Sequence, residues 1–164
     1  MERLELEDLQ QNLRDVQALL ARHAGSDESG ALRVRLDSLH PADVAFLLEA
    51  LPLEERLVVW NLVKADRDGE ILVEVSDAVR ETLIASMDSS ELVAAAETLE
   101  ADELADIAED LPPAVMEEVV QSLPAEERER LRAAMSFPEG TVGALMDFDH
   151  VAVREDVTLA AATA

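Results

Sequence analysis

Folded on a period of twelve, the sequence from Leu39 onward places apolar residues at the same positions of every unit. Leu39, Leu51, Val63, Val75, Met87, Leu99, Leu111 and Leu123 open eight successive units. The ninth position is apolar in all of them: Leu47, Val59, Ile71, Leu83, Ala95, Ile107, Val119 and Leu131. The tenth is apolar in all but the last, from Leu48 and Trp60 to Val120. Between opener and core pair stand residues that begin helices, as in His40-Pro41-Ala42-Asp43, Pro52-Leu53-Glu54-Glu55, Asp88-Ser89-Ser90-Glu91 and Pro124-Ala125-Glu126-Glu127.

A continuous helix cannot carry this pattern, because twelve residues rotate its apolar face by about a third of a turn. The helix must break in every unit, which predicts a helix of roughly eight residues and a tight turn each time. Helices so short do not survive alone, since nucleation costs more than one or two turns return. Neighbouring units must therefore stack. The expected fold is an all-α solenoid in which each opener fixes a turn and the ninth and tenth positions fill one continuous core. The unit over residues 63–74 fits worst, because Asp66, Asp68 and Gly69 intrude, and a longer turn is predicted there.

Outside the repeat the pattern changes. Leu6, Leu9, Leu13, Val16 and Leu20 alternate spacings of three and four, which predicts a long first helix docked on its own domain. It ends in the turn-forming run over residues 24–30. After Met135 the period dissolves. Val151-Ala152-Val153 alternates toward a strand, and Asp156-Val157-Thr158-Leu159 begins a capped, alanine-rich helix that reads as the truncated start of a second domain. The expected organisation is an N-terminal helix and loop over 1–30, a helical repeat over 31–140 and this start over 141–164.

Charge adds a second layer. The 164 residues hold 37 acids against 13 bases, a formal charge of −24, which excludes an ordinary nucleic-acid phosphate binder and disfavours an anionic membrane surface. No stretch is long and apolar enough to span a bilayer, and the acidic N-terminus lacks the order of a secretory signal. The absence of cysteine removes disulfides and thiolate metal sites. The expectation is a soluble, cytosolic chain whose counterparts are cations and basic proteins.

The acidity concentrates over residues 99–111, predicted as one amphipathic helix. Leu104, Ile107, Ala108 and Leu111 share one side, and Asp102, Glu103, Asp106, Glu109 and Asp110 crowd into an arc of roughly 120° opposite. No lysine or arginine occurs between Arg80 and Arg128, so no local base is expected to neutralise that arc. Like charges at i,i+4, Asp102 with Asp106 and Asp106 with Asp110, cost roughly 0.2–0.5 kcal/mol per pair. Carboxylates without histidine or thiolate suit hard cations. Magnesium in particular keeps most of its water and needs only one or two carboxylates.

Other chemistry is not encoded. With Gly69 as the invariant glycine of a calcium loop, Lys64 would be the first ligand and Val75 the last, so an EF-hand fails. His23, His40 and His150 lie far apart without zinc spacing, and His40 is predicted at a helix start. No nucleophile elbow or phosphate loop is present, and an enzyme is not expected.

Leu-His-Pro-Ala-Asp-Val-Ala at 39–45, the Leu-Pro-x-Glu-Glu-Arg units at 51 and 123, and Leu-Glu-Ala-Asp-Glu-Leu-Ala-Asp at 99 resemble the cytosolic N domain of the MgtE family of magnesium transporters. Thr141-Val142-Gly143-Ala144-Leu145-Met146 and the segments after it are similar to the junction where that domain enters its first CBS domain. The resemblance implies a right-handed superhelix of short helices, followed by paired CBS domains and a dimeric pore in an inner membrane. It also implies a regulatory role, with Mg2+ bridging acids of the N and CBS domains to favour the closed state. By position it places ligands at Glu70, Asp102 and Asp106, and their neighbours Glu103 and Asp110 complete the expected metal set. The expected partners are the CBS domains of the same full-length chain and a second copy in a homodimer, with no direct membrane insertion by these residues. Other readings stay open: a helical-repeat scaffold for a basic protein, like that of the flagellar motor switch family, a soluble relative with the same N domain and CBS start but no pore, and acidity that reflects salt adaptation.

Overall fold

The structure, a computed structural model, describes residues 5–22 and 28–136. The expected strand at 151–153, the start of a second domain over 141–164, His23 and His150 lie outside the described residues. Within them the chain is all helical, with ten α-helices and no strand. These are α1 (Leu6–Arg22), α2 (Glu28–Asp37), α3 (Pro41–Ala50), α4 (Leu53–Trp60), α5 (Asp68–Glu74), α6 (Asp77–Ile84), α7 (Ser89–Ala96), α8 (Ala101–Ile107), α9 (Pro113–Ser122) and α10 (Ala125–Met135).

Each twelve-residue unit forms one of the helices α3 to α10. All eight ninth positions are buried, none more than 2% exposed. Burying an aliphatic side chain contributes about 1.5–3 kcal/mol, so this column anchors the core. The tenth position is buried from Leu48 through Ala108 and half-buried at Val120. The openers divide: Leu39, Leu51, Val75 and Leu111 are buried, whereas Val63, Met87, Leu99 and Leu123 are half-buried.

Stacking mostly skips a unit. Close packing joins α1 to α3, α3 to α5, α5 to α7, α7 to α9 and α8 to α10, and further contacts join α3 to α4 and α5 to α8. Along α3, α5, α7 and α9 the packing partner therefore lies two units, twenty-four residues, away.

Arginines tie these pairs together. The last carbonyls of a helix have no partner inside it, and a guanidinium can collect two of them. Arg56 Nε and Nη2 donate to the carbonyls of Leu48 and Leu51 at 2.7 and 3.1 Å. Arg80 does the same to Leu72 and Val75 at 2.7 and 3.0 Å, and Arg128 to Val120 and Leu123 at 2.9 and 3.0 Å. All three stand sixth in their unit and reach back eight and five residues. Arg67 clasps the α2–α3 turn from across the stack, through Leu36 O at 2.9 Å and Leu39 O at 2.5 Å.

One local expectation needs correction, and another is refined. Ser29 and Gly30, read as turn formers, lie inside α2, which the twelve-residue pattern did not mark. Arg35 holds that helix to α1 by donating to Asn12 Oδ1 at 2.6 Å, and this contact accounts for a buried asparagine. The longer turn expected near residue 63 is present, but it tightens into a single turn of 3-10 helix, Ala65–Arg67, before α5 begins.

Candidate acidic face

The acidic face is built on α8. Leu104 and Ile107, each 1% exposed, point into the core, which turns Asp102, Glu103 and Asp106 outward. Asp102 and Glu103 are half-buried and Asp106 is exposed. Glu103 is already engaged, because its Oε2 accepts the Glu100 N–H at 3.0 Å and so closes the start of the helix.

The helix stops sooner than the sequence suggests. It ends at Ile107, and residues 108–110 form a turn in which Asp110 N–H donates to Ile107 O at 3.1 Å. Pro112 biases Leu111 toward extended backbone, and the buried Leu111 opens the next unit. Of the two expected i,i+4 repulsions only Asp102 with Asp106 is helical.

Asp110 is not bare. Arg80 Nη1 donates to its Oδ2 at 2.7 Å, while the rest of that guanidinium clasps Leu72 and Val75. The Arg80 side chain is only 9% exposed, so the pair is poorly screened and holds the α8–α9 turn against the α5–α6 turn. No local base neutralises the arc, but a distant one does so at Asp110. A partner thirty residues away is invisible to i,i+4 reasoning. The recurrence of arginine at the sixth position of units marks the carbonyl clasp, which Arg56 and Arg128 share, but not the reach to Asp110.

Glu70 lies exposed on the first turn of α5, and α5 packs against α8. The five expected metal residues thus occupy two packed helices and one turn. Among the described residues, no group of three or more His, Asp or Glu side chains has the geometry to hold a metal ion by itself. The carboxylates form a spread face, and a cation held there would be shared with another surface or keep most of its water.

A second acidic locus escapes sequence reading. Burial pushes the Asp68 carboxyl up to about 7, and the nearby charges of Glu91 and Asp66 push the same way. Asp68 is sixth in its unit, a place filled elsewhere by arginine or by Val44, Leu92, Leu104 and Met116. That inward-facing register was the available clue. His40 behaves as expected for a helix start, its Nδ1 accepting the Ala42 N–H at 3.2 Å at the N-cap of α3.

Fold and face together define a helical-repeat domain with a concentrated acidic surface. The profile of the MgtE intracellular N domain matches residues 39–140, well over half of the chain, and the protein belongs to that family. A solved structure of the cytosolic domain of the Mg2+ channel MgtE in complex with ATP is 27% identical, with a TM-score of 0.65 over 89% of this chain and 58% of that one. The soluble part of a magnesium transporter shares the fold at 14% identity, with a TM-score of 0.62 over 84% of this chain and 53% of that one. The chain therefore spans a little over half the length of either structure. No curated protein matches it. Among the described residues, no helix is long and apolar enough to cross a membrane.

Proposed function

We propose that this chain is the cytosolic regulatory region of an MgtE-type magnesium transporter, and that it senses intracellular Mg2+ through its acidic face. The observation that carries the reading is the family match over residues 39–140. The likeness to the MgtE cytosolic domain supports it. In this reading Asp102 and Asp106 on α8 and Glu70 on α5 supply the carboxylates that meet Mg2+. Glu103 and Asp110 belong to the same face but keep its frame, one closing the start of α8 and the other paired with Arg80.

The mechanism follows from electrostatics. An acidic face and an acidic CBS surface of the same full-length chain repel until divalent ions bridge them. Magnesium suits this work because it binds through one or two carboxylates and retains water. When the ion is plentiful the surfaces close on each other, and in the homodimeric full-length protein this favours the closed pore. When it is scarce they part.

Limited proteolysis of the full-length protein across a Mg2+ titration tests the reading. Asp102→Asn combined with Asp106→Asn is expected to move the midpoint of protection to several-fold higher Mg2+. An unchanged midpoint would remove the site from these residues.

A further inference from the structure

Gly69 is buried on the first turn of α5, and space alone demands glycine there. A Cβ at this position would lie 2.5 Å from the Ala95 carbonyl oxygen, 2.5 Å from Thr98 Oγ1 and 3.2 Å from Leu99 Cδ2. All three atoms belong to the end of α7 and the turn that leads into α8. They cannot easily yield, since Thr98 donates from both Oγ1 and its backbone N–H to Ala95 O, at 2.7 and 3.2 Å. Even one methyl would lift α5 off this turn.

The turn also differs from its counterparts along the stack. In the twenty-four-residue series, Arg56, Arg80 and Arg128 clasp the carbonyls of their turns, and the equivalent position between Arg80 and Arg128 is the buried Leu104. Leu104 has no guanidinium to offer. At the α7–α8 joint, α5 is instead seated backbone to backbone through Gly69. The next residue along α5 is Glu70, and Asp102 follows Thr98 by a single turn of chain.

We propose that Gly69 is a positioning residue for the acidic face, its missing side chain setting the spacing between Glu70 and the α8 carboxylates Asp102 and Asp106. The inference rests on the magnesium reading given above. Gly69→Ala in the full-length protein is expected to raise the Mg2+ midpoint for protease protection several-fold while the helical content stays near that of the parent. If that variant does not fold, Leu99→Ala, which shaves the opposite wall of the same seat, is expected to raise the midpoint by a smaller factor. Val115→Ala on α9 lowers the melting temperature without touching the seat and is expected to leave the midpoint in place.

A folded Gly69→Ala protein with the parental midpoint overturns the positioning role, as does an equal shift from Val115→Ala. The same holds for an unshifted Leu99→Ala where the glycine variant is lost. The Asp102→Asn, Asp106→Asn pair separates the two claims. If the pair shifts the midpoint and Gly69→Ala does not, only the positioning role falls. If the pair leaves the midpoint unchanged, the magnesium reading itself fails.

Discussion

The stretch from α3 to α6 and the stretch from α7 to α9 are built from the same repeat but held by different chemistry. In the first, Arg56, Arg67 and Arg80 collect the free carbonyls of three helix ends. In the second there is no lysine or arginine at all until Arg128. That stretch relies on acids at helix starts, where Asp88 and Glu91 cap each other reciprocally and Glu103 serves Glu100. It relies as well on small residues, with Ala95 and Ala96 buried and Gly69 brought close against the α7 end. A cation-free stretch can keep an anionic surface bare, and its helices are then fastened by close backbone approach. Arg80 is the joint between the two regimes, because it clasps its own turn and reaches into the second stretch at Asp110.

The contrast can be broken experimentally, beginning with the largest effect. Ile107→Ala in the second stretch empties a ninth position that is 1% exposed, and about 2–5 kcal/mol of stability is expected to go with it. The urea midpoint reports this with an unchanged m-value. Arg80→Ala strands two carbonyls and the Asp110 carboxylate, and a loss on the order of 3 kcal/mol is expected in the same measurement. Arg56→Ala, which strands carbonyls but no carboxylate of the second stretch, is expected to cost about half as much. Equal losses for the two arginines would erase the special place given to Arg80.

Asp68 offers a pH test. Its folded-state carboxyl holds a proton from its ordinary value of 3.8 up to about 7, whereas the unfolded chain releases it near 3.8. Across that window the native state binds more protons, so this group's contribution falls as pH rises and is fully lost above about 7. Asp68→Asn is expected to flatten that fall and to raise the melting temperature at neutral pH by a few degrees. An identical pH profile in variant and parent would refute it. The smallest effect concerns α8 alone. In chelator and low salt, Asp106→Asn is expected to gain roughly 0.2–0.5 kcal/mol by removing the Asp102 repulsion. Near 1 M NaCl, where the Debye length is about 3 Å, that gain is expected to vanish.

The repeat was legible because burial follows it so closely. All eight residues of the column from Leu47 to Leu131 are buried in one core cluster, and any twelve-residue reading finds them. The helix starts at Pro41 and Ser89 also follow from a first-turn proline and a capping box. What stayed hidden is what depends on distance in sequence. The Arg80–Asp110 pair, the clasp of Arg67 on the α2–α3 turn and the contact of Gly69 with Thr98 all join separate units, and no local rule proposes them. The end of α8 at Ile107 was missed for a related reason, since propensity favours continuing and the following unit's opener wins. Of the acidic face, the α8 acids were legible as an outward arc, and the loss of Asp110 to an ion pair was not.

Along the series α3, α5, α7 and α9 each helix packs on the next but one. Removing the single unit 87–98 would take α7 out of that series and bring α8 into its place against α5, whereas removing residues 87–110 would bring α9 there. A cooperative melt after the longer deletion but not the shorter one would register that difference.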